Sequence, residues 1–263
     1  MSALRIQVEG IGLWSPSLTD FDALRRLLAG ETLSASVTRP AASALSLNER
    51  RRAPESVLVA SEVASQAVAM SGRAADRLAC VFASAYGDQA TTDYMCHVLA
   101  HAPNELSPTR FHNSVHNASA GYWTIATDCR APSSAVCAGH ASFGAGLLEA
   151  AVQACADNRT VLLVCSDTAG VGPLGELINC RIAFGCALVL SPFTDAGRPG
   201  ISLAPVANSP THDALPAVCM DWMRDNPSAA CLPLLALLAR GGGECVLAAT
   251  EQLGLHVQME ITA

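Results

Sequence analysis

One segment of the sequence constrains the fold more than any other. Within Ala141–Cys155 only Ser142, Glu149 and Gln153 are polar, and the last two stand four residues apart, on one face of a helix. The other faces of this predicted helix are apolar, so it must be buried against the rest of the protein. Backbone N–H groups at the start of such a helix form a small positive site that suits a thiolate or an anionic oxygen. The residue that precedes the helix is His140, which makes position 140 the first candidate for function.

Continuous apolar runs mark several strands that we expect to be buried on both faces. Leu78–Ala85 and Val161–Ser166 are examples, and such runs are typical of central parallel strands covered by helices. Helical segments alternate with the runs, which predicts an α/β fold. The predicted strands are Arg5–Trp14, Leu78–Ala85, Ser133–Ala138, Val161–Ser166, Ala183–Leu190, Ile201–Val206, Glu244–Ala249 and Leu255–Ile261.

Turn and cap residues place the helices between these strands. Besides the buried helix at Ala141, the sequence predicts helices at Asp20–Leu28, Glu55–Met70, from Asp88 to about Leu99, at Ser114–Ala126 and near Ala229–Leu238. The segments Glu31–Leu47 and His101–Asn113 are predicted to be irregular, and Thr194–Gly200 is predicted to be a turn.

The charge composition excludes several classes of function. The chain of 263 residues carries 16 basic and 23 acidic residues, a net charge of −7, whereas nucleic-acid binding depends on clustered cations that neutralise phosphates. All 16 basic residues are arginines, so Schiff-base chemistry and a phosphate-loop lysine are excluded. We therefore expect no nucleic-acid partner.

The eleven cysteines indicate reduced, buried thiols. Their number is odd, no C-x-x-C occurs, and most lie inside apolar runs, as in cytosolic proteins. The N-terminus lacks a basic region followed by an apolar core, and the apolar runs are shorter than the ~20 residues that a membrane helix needs. We expect a cytoplasmic protein without membrane insertion.

Three other patterns in the sequence favour structural roles. Gly170, Gly172 and Gly175 have the spacing of a dinucleotide fingerprint with Asp195 downstream, but they lie late in the chain and are interrupted by a proline, which favours a loop. His112 and His116 stand four residues apart without a third ligand at metal spacing, so no metal and no cofactor are predicted. Alternation in the strand before His140 makes Cys137 a core residue rather than a nucleophile.

The segment around His140 resembles the active-site segment of the β-ketoacyl-ACP synthases. In that family a proline, a strand and a T-A-C-x-S turn place a catalytic cysteine at the N-terminus of a buried helix. Pro132-Ser133, then Ala138–Ser142 (AGHAS) and Phe143-Gly144 follow the same order, and counting from the proline puts His140 at the position of the cysteine. Four further segments resemble the family in order: RIQVEGIGLWSP, Ser107-Pro108 through Asn117-x-x-x-Gly121, VLLVCSD, and Phe184–Leu190.

The resemblance covers about Arg5 to Leu190 and implies the fold class. It implies a thiolase-like α/β fold, the N-terminal half of a ketosynthase, with a mixed, mostly parallel five-stranded sheet and helices on both faces. A short C-terminal α/β extension follows. We expect residues 1–210 to form the ketosynthase-like domain and residues 211–263 to complete the same domain.

Two departures from the family indicate that the chain does not catalyse condensation alone. The nucleophilic cysteine is absent, and the family's second half, which carries two catalytic histidines, is missing from this sequence. His212 follows Pro210 but does not match the motifs of that half. Because the nucleophile and its histidines act as a unit, losing the nucleophile removes many orders of magnitude of rate.

Similar truncated relatives without the cysteine are chain length factor-like proteins of aryl polyene and xanthomonadin-type pigment pathways, which pair with an active β-ketoacyl-ACP synthase. The resemblance implies such a heterodimer, with Arg130–Ala138 near the interface and the acyl carrier protein bound through the complex. The Tyr86-Gly87 loop would wall the partner's acyl tunnel, and the bulk of Tyr86 and Tyr94 would limit chain growth. The tunnel and interface residues that the resemblance implies are Tyr86, Ala90, Tyr94, Asn117, Ser134, Val136 and Phe143. Arg50, Arg51 and Arg52 are candidates for carrier-protein docking.

Other functions stay open at the level of sequence. The chain could be a stand-alone acyl-thioester hydrolase or malonyl decarboxylase that uses His140 with Cys137 or Ser142. It could also be a purely structural scaffold, in which both tyrosines fill a core and the arginine run is a solvated surface.

Overall fold

The eight strands of the protein form one mixed sheet. A computed structural model describes residues 3–33, 36–194 and 199–260. The strands are β1 (Leu4–Trp14), β2 (Ala79–Ala83), β3 (Ser133–Val136), β4 (Val161–Asp167), β5 (Phe184–Pro192), β6 (Gly200–Ala207), β7 (Glu244–Ala248) and β8 (Leu253–Glu260). Their order across the sheet is β3-β2-β4-β5-β1-β6-β8-β7.

The helices cover both faces of this sheet. They are α1 (Phe21–Leu28), α2 (Leu47–Arg52), α3 (Glu55–Ser71), α4 (Gln89–His101), α5 (Pro108–His112), α6 (Ala118–Ala126), α7 (Ser142–Asp157), α8 (Gly172–Leu177), α9 (Ala217–Asp225) and α10 (Leu232–Arg240). One core cluster joins α1, α7 and α10 to one face of the sheet, and a second joins α3 and α6 to the other face. Neighbouring residues of the central strands alternate between the two clusters, which gives three layers with a buried sheet.

The expected sheet was wrong in size and in its proportion of parallel strands. The sheet has eight strands rather than five, because β6, β8 and β7 extend it beyond β1. Only β2 pairs in parallel, with β3 and with β4; the other five pairings are antiparallel. A continuous apolar run shows only that both faces of a strand are buried, and here helices bury both faces of the antiparallel strand β5 as well.

Two glycines of β1 allow α3 to lie directly on the sheet. A Cβ at Gly12 would come within 1.9 Å of the carbonyl oxygen of Val63, and one at Gly10 within 2.0 Å of that of Ala67. No side chain larger than hydrogen fits at either position, so this contact fixes the distance between the two elements.

Several predicted segments differ in detail from the structure. α2 begins at the last residue of the first predicted irregular region, and α5 lies within the second. The glycine-rich loop contains α8, and neither α2 nor α9 was predicted. Residues 195–198 and Ile261, part of a predicted turn and of the last predicted strand, lie outside the described residues. Within the described residues, no helix is both long enough and apolar enough to cross a bilayer. All eleven cysteines are free thiols, and eight of them are buried.

Candidate functional site

The first part of the site is the turn Ser84–Gly87, which connects β2 to α4. It contains Gly87 with a positive φ of 65°, and the helix that follows is capped by Asp88, whose side chain accepts a hydrogen bond from the Thr91 N–H at 2.6 Å. A side-chain oxygen at this position satisfies one of the free N–H groups of the helix start. The turn therefore presents Tyr86, which is half-buried, at the end of a rigid strand.

The second part is the 3₁₀ turn Gly139–Ala141, which precedes α7. Gly139 adopts a positive φ of 55°, and the Ser142 hydroxyl donates to its carbonyl at 2.7 Å. The turn runs directly into α7, whose N-cap residue is Ala141. His140 therefore directly precedes the N-cap residue of the buried helix, as expected, but its own side chain is exposed.

Tyr86 and His140 contact each other across the gap between these two turns. The Tyr86 hydroxyl lies 3.2 Å from His140 Nε2, and the two rings meet edge to face with centroids 6.1 Å apart. Burial, and secondarily the nearby Asp167 carboxylate, raises the pKa of the Tyr86 hydroxyl. Because the phenol stays protonated, it can donate a hydrogen bond to the imidazole.

The structure does not assemble a nucleophile with a base at this site. The Ser142 hydroxyl donates to Gly139 O and accepts from the Ala138 N–H at 3.0 Å. The Cys137 thiol is exposed and donates to Ala85 O at 3.3 Å, so the prediction that it is a core residue was wrong. Activation of a serine or cysteine requires a hydrogen bond to a base, and the hydrogen bonds described for His140 include neither side chain.

Sequence reasoning missed Asp167, the last residue of β4. Its carboxylate is buried and accepts hydrogen bonds from the N–H groups of Ala85 and Tyr86 at 2.9 and 3.3 Å. Burial raises the pKa of this carboxyl group, while its hydrogen bonds oppose the rise. The signal in the sequence is an acid two positions after an apolar run of five residues, VLLVC, because a charged group rarely occupies a buried strand without a specific partner.

A surface pocket of about 370 Å³ lies beside α4 and includes Ala90 of the predicted tunnel. Arg52 and Arg110 line the same pocket together with Glu55, whose carboxyl pKa is raised first by burial and then by the nearby Asp88. The Arg110 guanidinium also lies over the Tyr94 ring, 4.1 Å from its centroid.

Tyr94 is held by α5 and the residue before it rather than by the turn that carries Tyr86. Its hydroxyl accepts a hydrogen bond from the Ser107 N–H at 3.1 Å, and its ring lies beneath Arg110 of α5. Tyr94 therefore connects α4 to the next helix, whereas the described contacts of the Tyr86 side chain are with His140.

Two of the residues predicted for the tunnel and interface lie on the edge strand β3. Ser134 and Val136 are half-buried on this edge strand, which pairs with β2 on one side only. Gln153 of α7 donates to the Ser134 hydroxyl at 3.2 Å, and Asn117 is exposed at the start of α6. Phe143 is instead fully buried in the core, because α7 turns this position toward the sheet.

Large apolar side chains are exposed on α5, on α6 and on the segment between these helices. Phe111, Val115 and Ile125 are 56%, 51% and 72% exposed, and α6 contacts β3 directly. An apolar region beside an open strand is typical of a surface that binds another protein chain.

The three candidate arginines differ in their surroundings. Arg50 donates to the Ala41 carbonyl at 3.2 Å, and its own carbonyl accepts a hydrogen bond from Arg39 at 2.9 Å, so it connects α2 to the preceding segment. Arg51 and Arg52 are exposed at the end of α2.

The remaining sequence patterns occupy structural positions. His116 Nε2 lies 3.0 Å from the Ser84 carbonyl oxygen, and no group of three or more His, Cys, Asp or Glu side chains that could hold a metal occurs among the described residues. Gly170 and Gly175 pack backbone against backbone, with a Cβ at Gly170 coming within 2.8 Å of the other Cα. Asp195, the acid of the dinucleotide pattern, lies outside the described residues.

Solved structures share this fold, which is the thiolase-like fold of ketosynthases. A chain in the structure described as the ketosynthase ApeO in complex with its chain length factor ApeC from Xenorhabdus doucetiae aligns with a TM-score of 0.70 and 22% identity, over 98% of this chain and 99% of that chain. A chain of the ishigamide ketosynthase/chain length factor aligns with a TM-score of 0.71 and 13% identity, also over 98% and 99%. A chain of AntDE:AntF, a type II acyl carrier protein in complex with its ketosynthase, has a TM-score of 0.72 and 12% identity over the same shares.

The sequence identifies the family as well as the fold. The model of the β-ketoacyl synthase N-terminal domain matches residues 28–249, most of the chain. The protein therefore belongs to the β-ketoacyl synthase N-terminal domain family. Among curated proteins, no sequence matches it.

Proposed function

We propose that the protein is a non-catalytic, chain length factor-like subunit that pairs with an active β-ketoacyl-ACP synthase in a type II polyketide or fatty-acid-like pathway, such as one making an aryl polyene pigment. The observation that carries the proposal is the exposed His140, hydrogen-bonded to Tyr86, which the resemblance puts at the family's nucleophile position. An imidazole has no sulfur atom, so it cannot form the acyl thioester on which condensation depends. In this proposal the turn before α7 is retained, while the ability of its central residue to carry an acyl group is lost.

The open edge of β3 supports a heterodimer with the ketosynthase. Its unpaired backbone groups can pair with a strand of another chain, and the exposed Phe111, Val115 and Ile125 supply apolar area beside it. Stable heterodimers bury such apolar patches. Arg130–Ala138, which includes Ser134 and Val136, forms the centre of this proposed interface.

Tyr86 supports a role in setting product length. Its ring projects from the end of a buried strand and is fixed by His140, so a growing acyl chain that reaches it meets a bulky side chain that cannot rotate away freely. In this proposal Ala90 and its pocket lie beside the tunnel that holds the growing acyl chain, and Asn117 lies at the rim of that tunnel. Substrate is acyl and malonyl groups on an acyl carrier protein, held mainly by the partner.

Arg51 and Arg52 are the proposed contribution of this chain to carrier-protein docking, since they are exposed and the hydrogen bonds of Arg50 serve the fold. Residues 211–263 are proposed to complete the same domain, because β7 and β8 extend the sheet from β6. The complex is proposed to be cytoplasmic, because cysteine thiols such as those of this chain are kept reduced there.

The test is co-expression with the ketosynthase encoded nearest to this gene, followed by co-purification and product analysis. Tyr86→Ala should shift the products to longer chains, because it removes the ring. Tyr86→Phe, the matched control, keeps the ring and should leave product length unchanged. Failure to co-purify with the ketosynthase, together with an unchanged product profile for Tyr86→Ala, refutes the proposal.

The purified chain without its partner distinguishes the proposed function from the alternative, a hydrolase or decarboxylase. The isolated chain should not turn over malonyl-ACP above the uncatalysed rate, because neither Ser142 nor Cys137 donates to His140 among the described hydrogen bonds. Turnover that His140→Ala abolishes would establish the alternative instead.

A further inference from the structure

A single buried carboxylate connects the turn that carries Tyr86 to the body of the protein. One oxygen of Asp167 accepts hydrogen bonds from the Ser84 hydroxyl at 2.7 Å and from the N–H groups of Ala85 and Tyr86. The other oxygen accepts from the Ser228 hydroxyl at 2.6 Å. The carboxylate thus has two sides, one facing the turn and one facing the C-terminal part of the chain.

Most of the backbone N–H groups of the turn depend on Asp167 for their hydrogen bonds. The Ser84 hydroxyl donates its proton to Asp167 and accepts a hydrogen bond from the Gly87 N–H at 2.9 Å. Three consecutive backbone N–H groups, those of residues 85–87, are therefore satisfied by Asp167 directly or through one hydroxyl. Because unpaired buried N–H groups are costly, the path of the backbone is set by where this carboxylate lies.

The opposite side of the carboxylate is held by the 3₁₀ turn between α9 and α10, Pro227–Cys231. Asn226 and Ser228 are completely buried there. The Asn226 amide donates to the backbone carbonyl of Asp167 at 2.9 Å and to that of Ile182 at 2.7 Å, while its own oxygen accepts from the Ser228 N–H at 2.8 Å. The C-terminal segment therefore fixes the position of the carboxylate.

The chemistry of these contacts explains why an acid stands at position 167. All four side-chain partners are neutral donors, two hydroxyls and two backbone N–H groups, and a carboxylate offers enough lone pairs to accept from all of them at once. Burial opposes the charge and raises the pKa of this group. An apolar residue of similar size would leave the same donors unpaired, which is the more costly arrangement.

We propose that Asp167 is a positioning residue that holds the Tyr86 turn in place, and that Asn226 and Ser228 couple this position to the C-terminal segment. The proposal deepens the proposed function and rests on it for its effect on product length. Asp167 touches no substrate in this assignment and acts only through the location of the Tyr86 ring.

Amide hydrogen exchange in the purified chain tests the anchor without any partner. Asp167→Ala should speed exchange at residues 85–87 by at least about tenfold. Asp167→Asn should stay within about threefold of wild type, because its carbonyl can accept the turn's three bonds while its amide donates to the Ser228 hydroxyl. Leu163→Val, a fully buried change on the same strand, is the matched control and should leave these amides unchanged.

Product analysis in the ketosynthase complex tests the consequence. Asp167→Ala should reproduce the longer products of Tyr86→Ala, and Asp167→Asn should restore the wild-type profile. If Asp167→Ala does not fold, Ser84→Ala removes only the bridging hydroxyl and should speed exchange at Gly87 alone.

The outcomes separate the two ideas. Unchanged exchange at residues 85–87 in Asp167→Ala, or in the substitute Ser84→Ala, overturns the anchor whatever the products are. Faster exchange with an unchanged profile, in a complex where Tyr86→Ala does shift the profile, overturns the positioning role and leaves the proposed function standing. An unchanged profile for Tyr86→Ala itself overturns the proposed function, while the exchange data still decide the anchor.

Discussion

Substituting Gly144 with alanine should destabilise the protein, although alanine is the better helix former. Gly144 lies in the first turn of α7, and a Cβ at this position would come within 2.0 Å of the carbonyl oxygen of Ala248, at the end of β7. The obstructing atoms belong to the backbone, so no side-chain rotation can relieve the contact. The first turn of α7 must retreat from β7 by about 1 Å before the contact becomes tolerable.

The expected magnitude follows from two opposing terms. Overpacking in a well-packed region costs about 1–3 kcal/mol, and a contact with fixed backbone lies toward the upper end. Replacing glycine by alanine inside a helix returns about 0.5–1 kcal/mol. The free energy of unfolding should therefore fall by about 2 kcal/mol, which lowers the Tm by about 4–8 °C for a chain of this size.

A second glycine provides a matched control with the opposite sign. Gly121 lies within α6, and a Cβ there would meet no atom within 4 Å. Gly121→Ala should raise the free energy of unfolding by about 0.5–1 kcal/mol, because only the helix term remains.

The assay is thermal and urea unfolding of both purified variants, followed by circular dichroism. A stability of Gly144→Ala equal to or above that of wild type would refute the close approach of α7 to β7. The same follows if both substitutions lower stability equally, because the two sites would then not differ in available space.

Three further predictions concern charge and accessibility. Cys96 and Cys137 should be the two thiols of the isolated chain that react fastest with an aromatic disulfide reagent, since both are exposed and burial raises the pKa of seven other cysteines. Cys137 should become protected in the ketosynthase complex. Equal labelling of Cys137 with and without the partner would contradict its place at the interface. The pKa of Asp167 is raised above its usual 3.8, so the folded state binds the proton of this carboxyl group more tightly than the unfolded state does. The urea midpoint of wild type relative to that of Asp167→Asn should therefore fall as the pH rises from about 4 through the raised pKa. A relative midpoint that rises over this range would contradict the direction of the pKa shift. Arg50→Ala should lower the free energy of unfolding by about 1 kcal/mol through its lost hydrogen bond, whereas Arg51→Ala should stay within about 0.5 kcal/mol and should act on carrier-protein binding, measured by titration of the complex with the carrier protein.

The sequence predicted where most strands lie but not how they pair. The limits of β1, β4 and β5 match within two residues, because apolar runs and turn residues mark them clearly. Pairing direction left no such mark: Val161–Ser166 and Phe184–Leu190 are equally apolar, yet β4 runs parallel to β2 and antiparallel to β5. The direction depends on connections and on helices far away in the sequence.

The candidate site was predicted in part. The contact between Tyr86 and His140 joins two residues that the sequence singled out separately, since each follows a strand at the same end of the sheet. The exposure of His140 could not be predicted, because it depends on how the turn before α7 packs against segments far away in the sequence. Asp167 could not be found from catalytic motifs, because its carboxylate accepts hydrogen bonds from a turn and belongs to no such motif.

The long-range pairing of β1 has a consequence for biosynthesis. Among the described residues this strand pairs with β5 and β6, and β5 begins about 170 residues after β1 ends. At about 5–20 residues per second, a ribosome takes roughly 10–30 s to make the intervening chain. During that time an apolar strand has left the ribosome without its neighbours, a state that favours wrong pairing with other nascent chains. The yield of folded protein should therefore increase at lower growth temperatures and with chaperones that bind the N-terminal strand until β5 has been synthesised.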